Sequence, residues 1–147
     1  MKNLIDPFMK IAIDEARLSL EEGGIPIGSA LIKHGEVVAQ GHSRRLQDND
    51  RIMHAEIASL QKASRIGSYR EAVLYTTLMP CYLCAGAVVY FGIKKVIVGE
   101  SKTFRGERGF MESHGVEVID LDLEECRLMM QQFIKQTTGY NFRPGQN

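Results

Sequence analysis

The sequence predicts an α/β sandwich built on a mixed sheet, and three observations carry that expectation. Two apolar segments, residues 27–33 and 36–41, meet at His34-Gly35 like the arms of a hairpin. Helix-like and strand-like segments then alternate toward the C-terminus. No Pro/Gly/Ser-rich linker, charge block or internal repeat divides the 147 residues, so one domain is expected. Strands joined by a tight turn run antiparallel, whereas strands joined across a helix run parallel, so the sheet is mixed.

Each element has its own reason. Pro7 suits a first helical turn, where its fixed φ helps and its missing N–H costs nothing. Phe8, Ile11, Ala12, Ala16 and Leu20 then recur at helical spacing, until Gly23-Gly24 ends the helix. Residues 27–33 and 36–41 read as strands, with Gly35 supplying the positive φ of the turn. Residues 44–53 hold Asp48, Asn49 and Asp50 and read as a polar loop. Residues 54–63 are rich in Ala, Glu, Leu and Gln, which favour a helix. Residues 73–77 are β-branched and aromatic, a strand composition. Pro80 opens a helix that runs to about Tyr90. Residues 95–99 and 116–119 supply a fourth and a fifth strand. Residues 123–134 form an amphipathic helix with Leu128, Met129, Phe133 and Ile134 on its apolar side. The tail, residues 137–147, carries two Gly and one Pro and reads as irregular.

Composition narrows the function classes. The chain is 44% hydrophobic and 24% charged, ordinary values that exclude a disordered chain, a collagen-like repeat and a coiled-coil rod. About 68–70% of the extended chain's surface is buried at this size, enough for a core without disulfides. A net charge of zero counts against nucleic acid as a partner held chiefly by charge. The longest apolar stretch, residues 85–93, is broken by Gly86 and Gly92. It falls short of the roughly 20 residues of a membrane span, so no membrane association is expected. Residues 1–10 contain no apolar signal-peptide core, and three cysteines do not form an even disulfide set. A cytoplasmic, reducing setting is expected, where cysteines bind metal or catalyse more often than they cross-link.

The chemistry concentrates in His54-Ala55-Glu56 and Pro80-Cys81-Tyr82-Leu83-Cys84. Two cysteines three positions apart at a helix start can grip one ion. The unpaired N–H groups and partial positive charge of that helix end favour thiolates. One imidazole, His54, and two thiolates, Cys81 and Cys84, are ligands that zinc prefers, and three protein ligands leave its fourth position open. Zinc with two thiolates is formally neutral, so water there needs a carboxylate to take its proton. Glu56, two residues after His54, can face the ion without binding it. The competing reading is a closed structural zinc site, with Cys126 or His114 as fourth ligand. An unmetallated thiol pair is a further alternative.

The spacing H-x-E followed by P-C-x-x-C is the signature of zinc nucleobase deaminases. The chain resembles the cytidine deaminase-like superfamily, and within it the small fungal-type cytosine deaminases. The resemblance spans most of the chain, from Glu21-Glu22-Gly23-Gly24-Ile25-Pro26-Ile27-Gly28 through Leu74-Tyr75-Thr76-Thr77-Leu78 to Gln132-Phe133-Ile134. It implies a three-layer α/β/α sandwich with a five-stranded mixed sheet, a homodimer and one zinc per subunit. It also implies hydrolytic loss of ammonia from a small amino-substituted ring, with water as co-substrate. Carried over by position, His54, Cys81 and Cys84 are the zinc ligands and Glu56 the proton shuttle. Phe104 matches an aromatic residue that closes the family's pocket, and Ile25 and Leu78 match its apolar walls.

Three positions depart from the family pattern. Ser43 stands where the family has an Asn that bonds the ring's amide edge. The family's tail Trp and Asp fall near Asn141 and Pro144, and the chain has no Trp. Met79 stands where a smaller hydroxyl residue is common. The zinc chemistry is therefore expected to be kept and the reading of the ring changed. Cytosine leads the candidate substrates, followed by isocytosine, creatinine and other small cyclic amidines. Guanine deaminase, tRNA adenosine deaminase and a non-catalytic zinc-stabilised module are the rival readings.

Other conspicuous residues receive plainer roles. His42 is expected to make a structural hydrogen bond, and His34 and His114 to face solvent. Cys126 is expected to be a small buried hydrophobe, and Met129 and Met130 core or dimer contacts. Arg44-Arg45 and Lys94-Lys95 are expected to be solvated. Tyr140, Asn141 and Phe142 form an aromatic-polar-aromatic run suited to a lid over the ring.

Overall fold

His34 and Gly35 both adopt positive φ, 52° and 75°, the pairing that a two-residue hairpin turn requires. The turn folds β1 (Gly28–Lys33) against β2 (Glu36–His42), with Lys33 opposite Glu36. The computed structural model describes residues 5–137, so the expected lid residues Tyr140, Asn141 and Phe142 lie outside the described residues. Before the hairpin comes α1 (Pro7–Glu21). After it follow α2 (Ala55–Ala63), β3 (Ala72–Leu78), α3 (Tyr82–Phe91), β4 (Lys95–Glu100), α4 (Arg108–Ser113), β5 (Glu117–Asp120) and α5 (Glu124–Gln136).

The five strands form one mixed sheet in the order β2-β1-β3-β4-β5. β1 runs antiparallel to both β2 and β3, and β3, β4 and β5 run parallel. β2 and β3 therefore point the same way although β1 lies between them. The carboxyl ends of β2, β3 and β4, and the start of β1, share one edge of the sheet. In open α/β sheets that edge is the ligand side.

Period-two alternation sends each strand's side chains to two cores. Leu31, Leu74, Val96 and Val98 pack with Leu60 of α2, Val88 of α3 and Met111 of α4. Ala30, Ile32, Tyr75 and Ile97 pack with Met9, Ala12, Ile13 and Ala16 of α1 and with Cys126 and Met129 of α5. The sheet is thus the middle of three layers, as expected. No helix among the described residues is long and apolar enough to cross a membrane.

Several sequence expectations need correction. The short helix α4 was not anticipated, because its six residues carry neither a side-chain cap nor a long apolar stripe. α3 begins at Tyr82 with Cys81 as its N-cap, so Pro80 precedes the helix instead of opening it. Leu128 and Ile134 are 52% and 41% exposed. The buried face of α5 is Cys126, Met129, Met130 and Phe133, a stricter helical stripe that leaves those two residues at its flank.

α1 lies so close to the sheet that only glycine fits at Gly28. A Cβ there would sit 2.0 Å from the Ala12 carbonyl oxygen and 2.5 Å from the Ala16 nitrogen. Gly28→Ala is expected to cost about 2–3 kcal/mol, read as a lower urea midpoint with an unchanged m-value. An unchanged midpoint would contradict this seating of α1.

Candidate functional site

The loops leaving the shared sheet edge bring the chemistry together. His54 is the N-cap of α2, with φ −69° and ψ 160°, and Cys81 is the N-cap of α3, with φ −78° and ψ −175°. Neither side chain caps its own helix. Both are free to turn toward each other, between two helix N-termini whose partial positive charge favours anionic groups. His54 Nδ1 lies 3.5 Å from Cys81 Sγ and 3.6 Å from Cys84 Sγ. A tetrahedral zinc with ordinary Zn–N and Zn–S bonds separates such atoms by about 3.6 Å. The three donors lie within 4.8 Å of one another and are placed to hold a metal ion.

The two thiols are not equivalent. Hydrogen bonding from the Cys84 thiol, aided by His54, lowers Cys81 to about 3. Burial, reinforced by the hydrogen bond to Cys81, holds the Cys84 thiol well above its ordinary value. The Cys84 thiol thus donates to the Cys81 sulfur, and a cation held by both sulfurs would displace that proton. Glu56, only 4% exposed, stands beside this pair, and burial pushes its carboxyl upward.

The proposed alternative ligands are elsewhere. Cys126 is buried between β4 and α1, where burial pushes its thiol up to about 12. His114 is exposed beyond α4, its Nδ1 2.9 Å from the Phe110 carbonyl oxygen. Among the described residues, no fourth His, Cys, Asp or Glu joins the cluster. An open coordination position is the pattern of a catalytic and not a closed structural zinc site.

A cavity of about 460 Å³, its open mouth included, adjoins the donors. His54, Cys81 and Glu56 line it, together with the expected Ser43, Leu78 and Phe104. Ile25 does not. It is buried in the cluster behind, against Ala55, Leu78 and Phe133, and Ile27 lines the cavity in its place. The Ile27 N–H donates to the Ile25 carbonyl at 2.8 Å, a three-residue turn at Pro26 that redirects the chain.

Besides Ile27, two lining residues were not read as cavity residues in the sequence, Arg45 and Ala55, and Met79, one of the departures from the family pattern, lines the cavity as well. Arg45 was expected in solvent beside Arg44. The two differ sharply. Arg44 reaches outward to Asp48 at 2.8 and 3.0 Å and to Glu22 at 3.1 Å. Arg45 is half-buried and lines the cavity. Arg45 opens the turn that follows β2, and neither spacing nor composition separates it from Arg44 in the sequence. His42 is structural, as expected: Nδ1 meets Glu15 at 2.6 Å and Nε2 meets Glu22 at 3.0 Å. His34 is exposed, and Met129 and Met130 are core.

The comparisons with known proteins agree with this geometry. The cytidine and deoxycytidylate deaminase zinc-binding region matches residues 2–100. The chain is 40% identical over 131 residues to a cytosine deaminase of Candida albicans, covering 87% of each. It is 36% identical over 141 residues to a tRNA-specific adenosine deaminase of Bacillus subtilis, covering 88% of each. A solved structure from work on A-to-I editing by tRNA:A34 deaminases superposes with a TM-score of 0.73 at 30% identity. It covers 83% of this chain and 97% of that one.

Chelator-treated protein is expected to rebind about one zinc per chain, measured by metal analysis after dialysis. Cys81→Ser is expected to weaken that binding by about 10-fold or more. Full retention of zinc by a variant lacking both Cys81 and Cys84 would contradict the assignment.

Proposed function

The chain belongs to the cytidine and deoxycytidylate deaminase family, and on that premise we propose that it hydrolyses the exocyclic amine of a small free amino-heterocycle, with cytosine the lead substrate. The observation that carries this reading is that Glu56, His54 and Cys81 line one cavity together with the apolar side chains Ile27, Leu78, Met79 and Phe104. Such a cavity suits a flat ring and excludes most water from it. The 40% identity to a cytosine deaminase supports the lead ring. The net charge of zero weighs against a polyanionic substrate.

The geometry supports a role for each residue. His54, Cys81 and Cys84 would hold zinc. Zinc bound there supplies a Lewis acid that makes water nucleophilic near neutral pH. Glu56 takes a proton from water, delivers it to the ring nitrogen beside the reacting carbon, and assists proton transfer to the leaving amine. Water adds to the carbon bearing the amine, the C–N bond breaks, and the products are the oxo-ring and ammonia. Phe104, Leu78 and Ile27 press on the faces of the ring, and the backbone N–H groups at the start of α3 stabilise negative charge as it develops.

We also infer a homodimer. α3 exposes Tyr82, Leu83, Tyr90 and Phe91, with Tyr90 85% exposed, an apolar face unusual for an isolated monomer. Sedimentation is expected to give about twice the 16.5 kDa chain mass; a concentration-independent monomer refutes this.

The activity is tested by ammonia release from zinc-loaded protein offered cytosine, isocytosine, creatinine, guanine, adenosine, cytidine and tRNA. Cytosine is expected to give the highest kcat/KM. Salt-sensitive deamination of tRNA with none of the free rings would overturn the reading. Glu56→Gln is expected to keep its zinc and lose about 10²–10⁴-fold or more in kcat; normal turnover in that variant would remove Glu56 from its role.

A further inference from the structure

We propose that Arg45, together with Ser43, reads an oxo group on the substrate ring, and so sets which amino-heterocycles the cavity accepts. This rests on the proposed deaminase reading and goes beyond it in naming the acceptor and the residue that meets it. Three buried side-chain polar atoms lack a hydrogen-bond partner among the described residues: Ser43 Oγ, Arg45 Nε and Gln47 Oε1. The first two belong to residues that line the cavity, and Gln47 does not. Both are donors. A buried N–H or O–H left unpaired carries a desolvation penalty, and native proteins leave few of them. Both residues line one cavity, and an acceptor that arrives with the ligand would pair these groups.

The chemistry of the acceptor can be narrowed. Arg45 makes no ion pair among the described residues, whereas Arg44 beside it makes two. A guanidinium is always charged and offers a planar fork of N–H groups, suited to a carbonyl or carboxylate oxygen in the plane of a ring. Apolar side chains, Ile27, Leu78, Met79 and Phe104, make up the rest of the wall beside the metal donors and Glu56, which suits a flat ring that carries a polar oxo group. Ser43 lines the same cavity and adds a short hydroxyl that can donate. The acceptor assigned is a ring carbonyl, as in a cyclic urea or acyl-amidine edge. A ring that lacks it would leave the guanidinium unpaired.

The test compares cytosine with 4-aminopyrimidine, which has the same reacting amine and no ring carbonyl, in the zinc-loaded wild type and in Arg45→Met and Arg45→Lys. The expected result is a wild-type preference for cytosine that falls by about 10–100-fold in Arg45→Met and is partly kept in Arg45→Lys. Equal losses on both rings would overturn the proposal and make Arg45 a structural residue. An unchanged preference would overturn it as well. Calorimetric binding of uracil and pyrimidin-4-one to the same proteins separates this outcome from failure of the deaminase reading. If cytosine is not turned over, the lead substrate fails, but uracil binding that weakens about 10-fold in Arg45→Met still supports the carbonyl contact. No Arg45-dependent binding of uracil removes it.

Discussion

Two thiols, an imidazole and a carboxylate crowd into one buried corner, and that crowding demands a cation. Cys84 is fully buried and Glu56 nearly so, yet both are acids. Burial and the neighbouring Cys81 sulfur oppose the ionisation of both. Isolated buried charge is among the costliest arrangements a fold can hold, and pairing it with a divalent ion relieves it. The N-termini of α2 and α3 contribute in the same sense, because their free N–H groups converge where negative charge collects. A site for zinc is thus written into the electrostatics of the corner and not only into the identity of its ligands.

The sheet makes that corner possible. β2 and β3 point the same way with β1 between them, so the chain leaves both at one edge and enters a helix each time. β4 runs parallel to β3 and delivers Phe104 to that edge. α1 braces the start of β1 through the close approach at Gly28. The loop after β2 is fastened by a charged lattice in which Glu15, His42, Glu22, Arg44 and Asp48 meet in turn. With Arg44 engaged outward in that lattice, Ser43 and Arg45 are left on the cavity side. This side of the cavity wall is therefore a consequence of how the loop is tied down.

Much of this was legible in the residues. Pro7 marks where α1 starts, and the hairpin follows from Gly35. The metal donors were legible because their spacing is local: two cysteines within one helical turn, and a His and a Glu within three residues. What periodicity could not give was anything set by long-range approach. Leu128 and Ile134 continue the apolar pattern of α5, yet they fall beside its buried stripe and stay exposed. Ile25 looks like a wall residue until the turn at Pro26 passes that place to Ile27. Arg45 looks like half of a solvated basic pair because nothing in the sequence states that Arg44 alone finds carboxylates. Cavity-lining residues were hidden where ordinary surface residues share their composition.

X-ray absorption at the zinc edge of the loaded protein tests the central claim most directly. The predicted first shell has two sulfurs at about 2.3 Å and lighter atoms at about 2.0 Å, one of them exchangeable with small anions. Three sulfurs, or a shell of nitrogen and oxygen alone, would contradict a centre built from His54, Cys81 and Cys84 with one position open to chemistry.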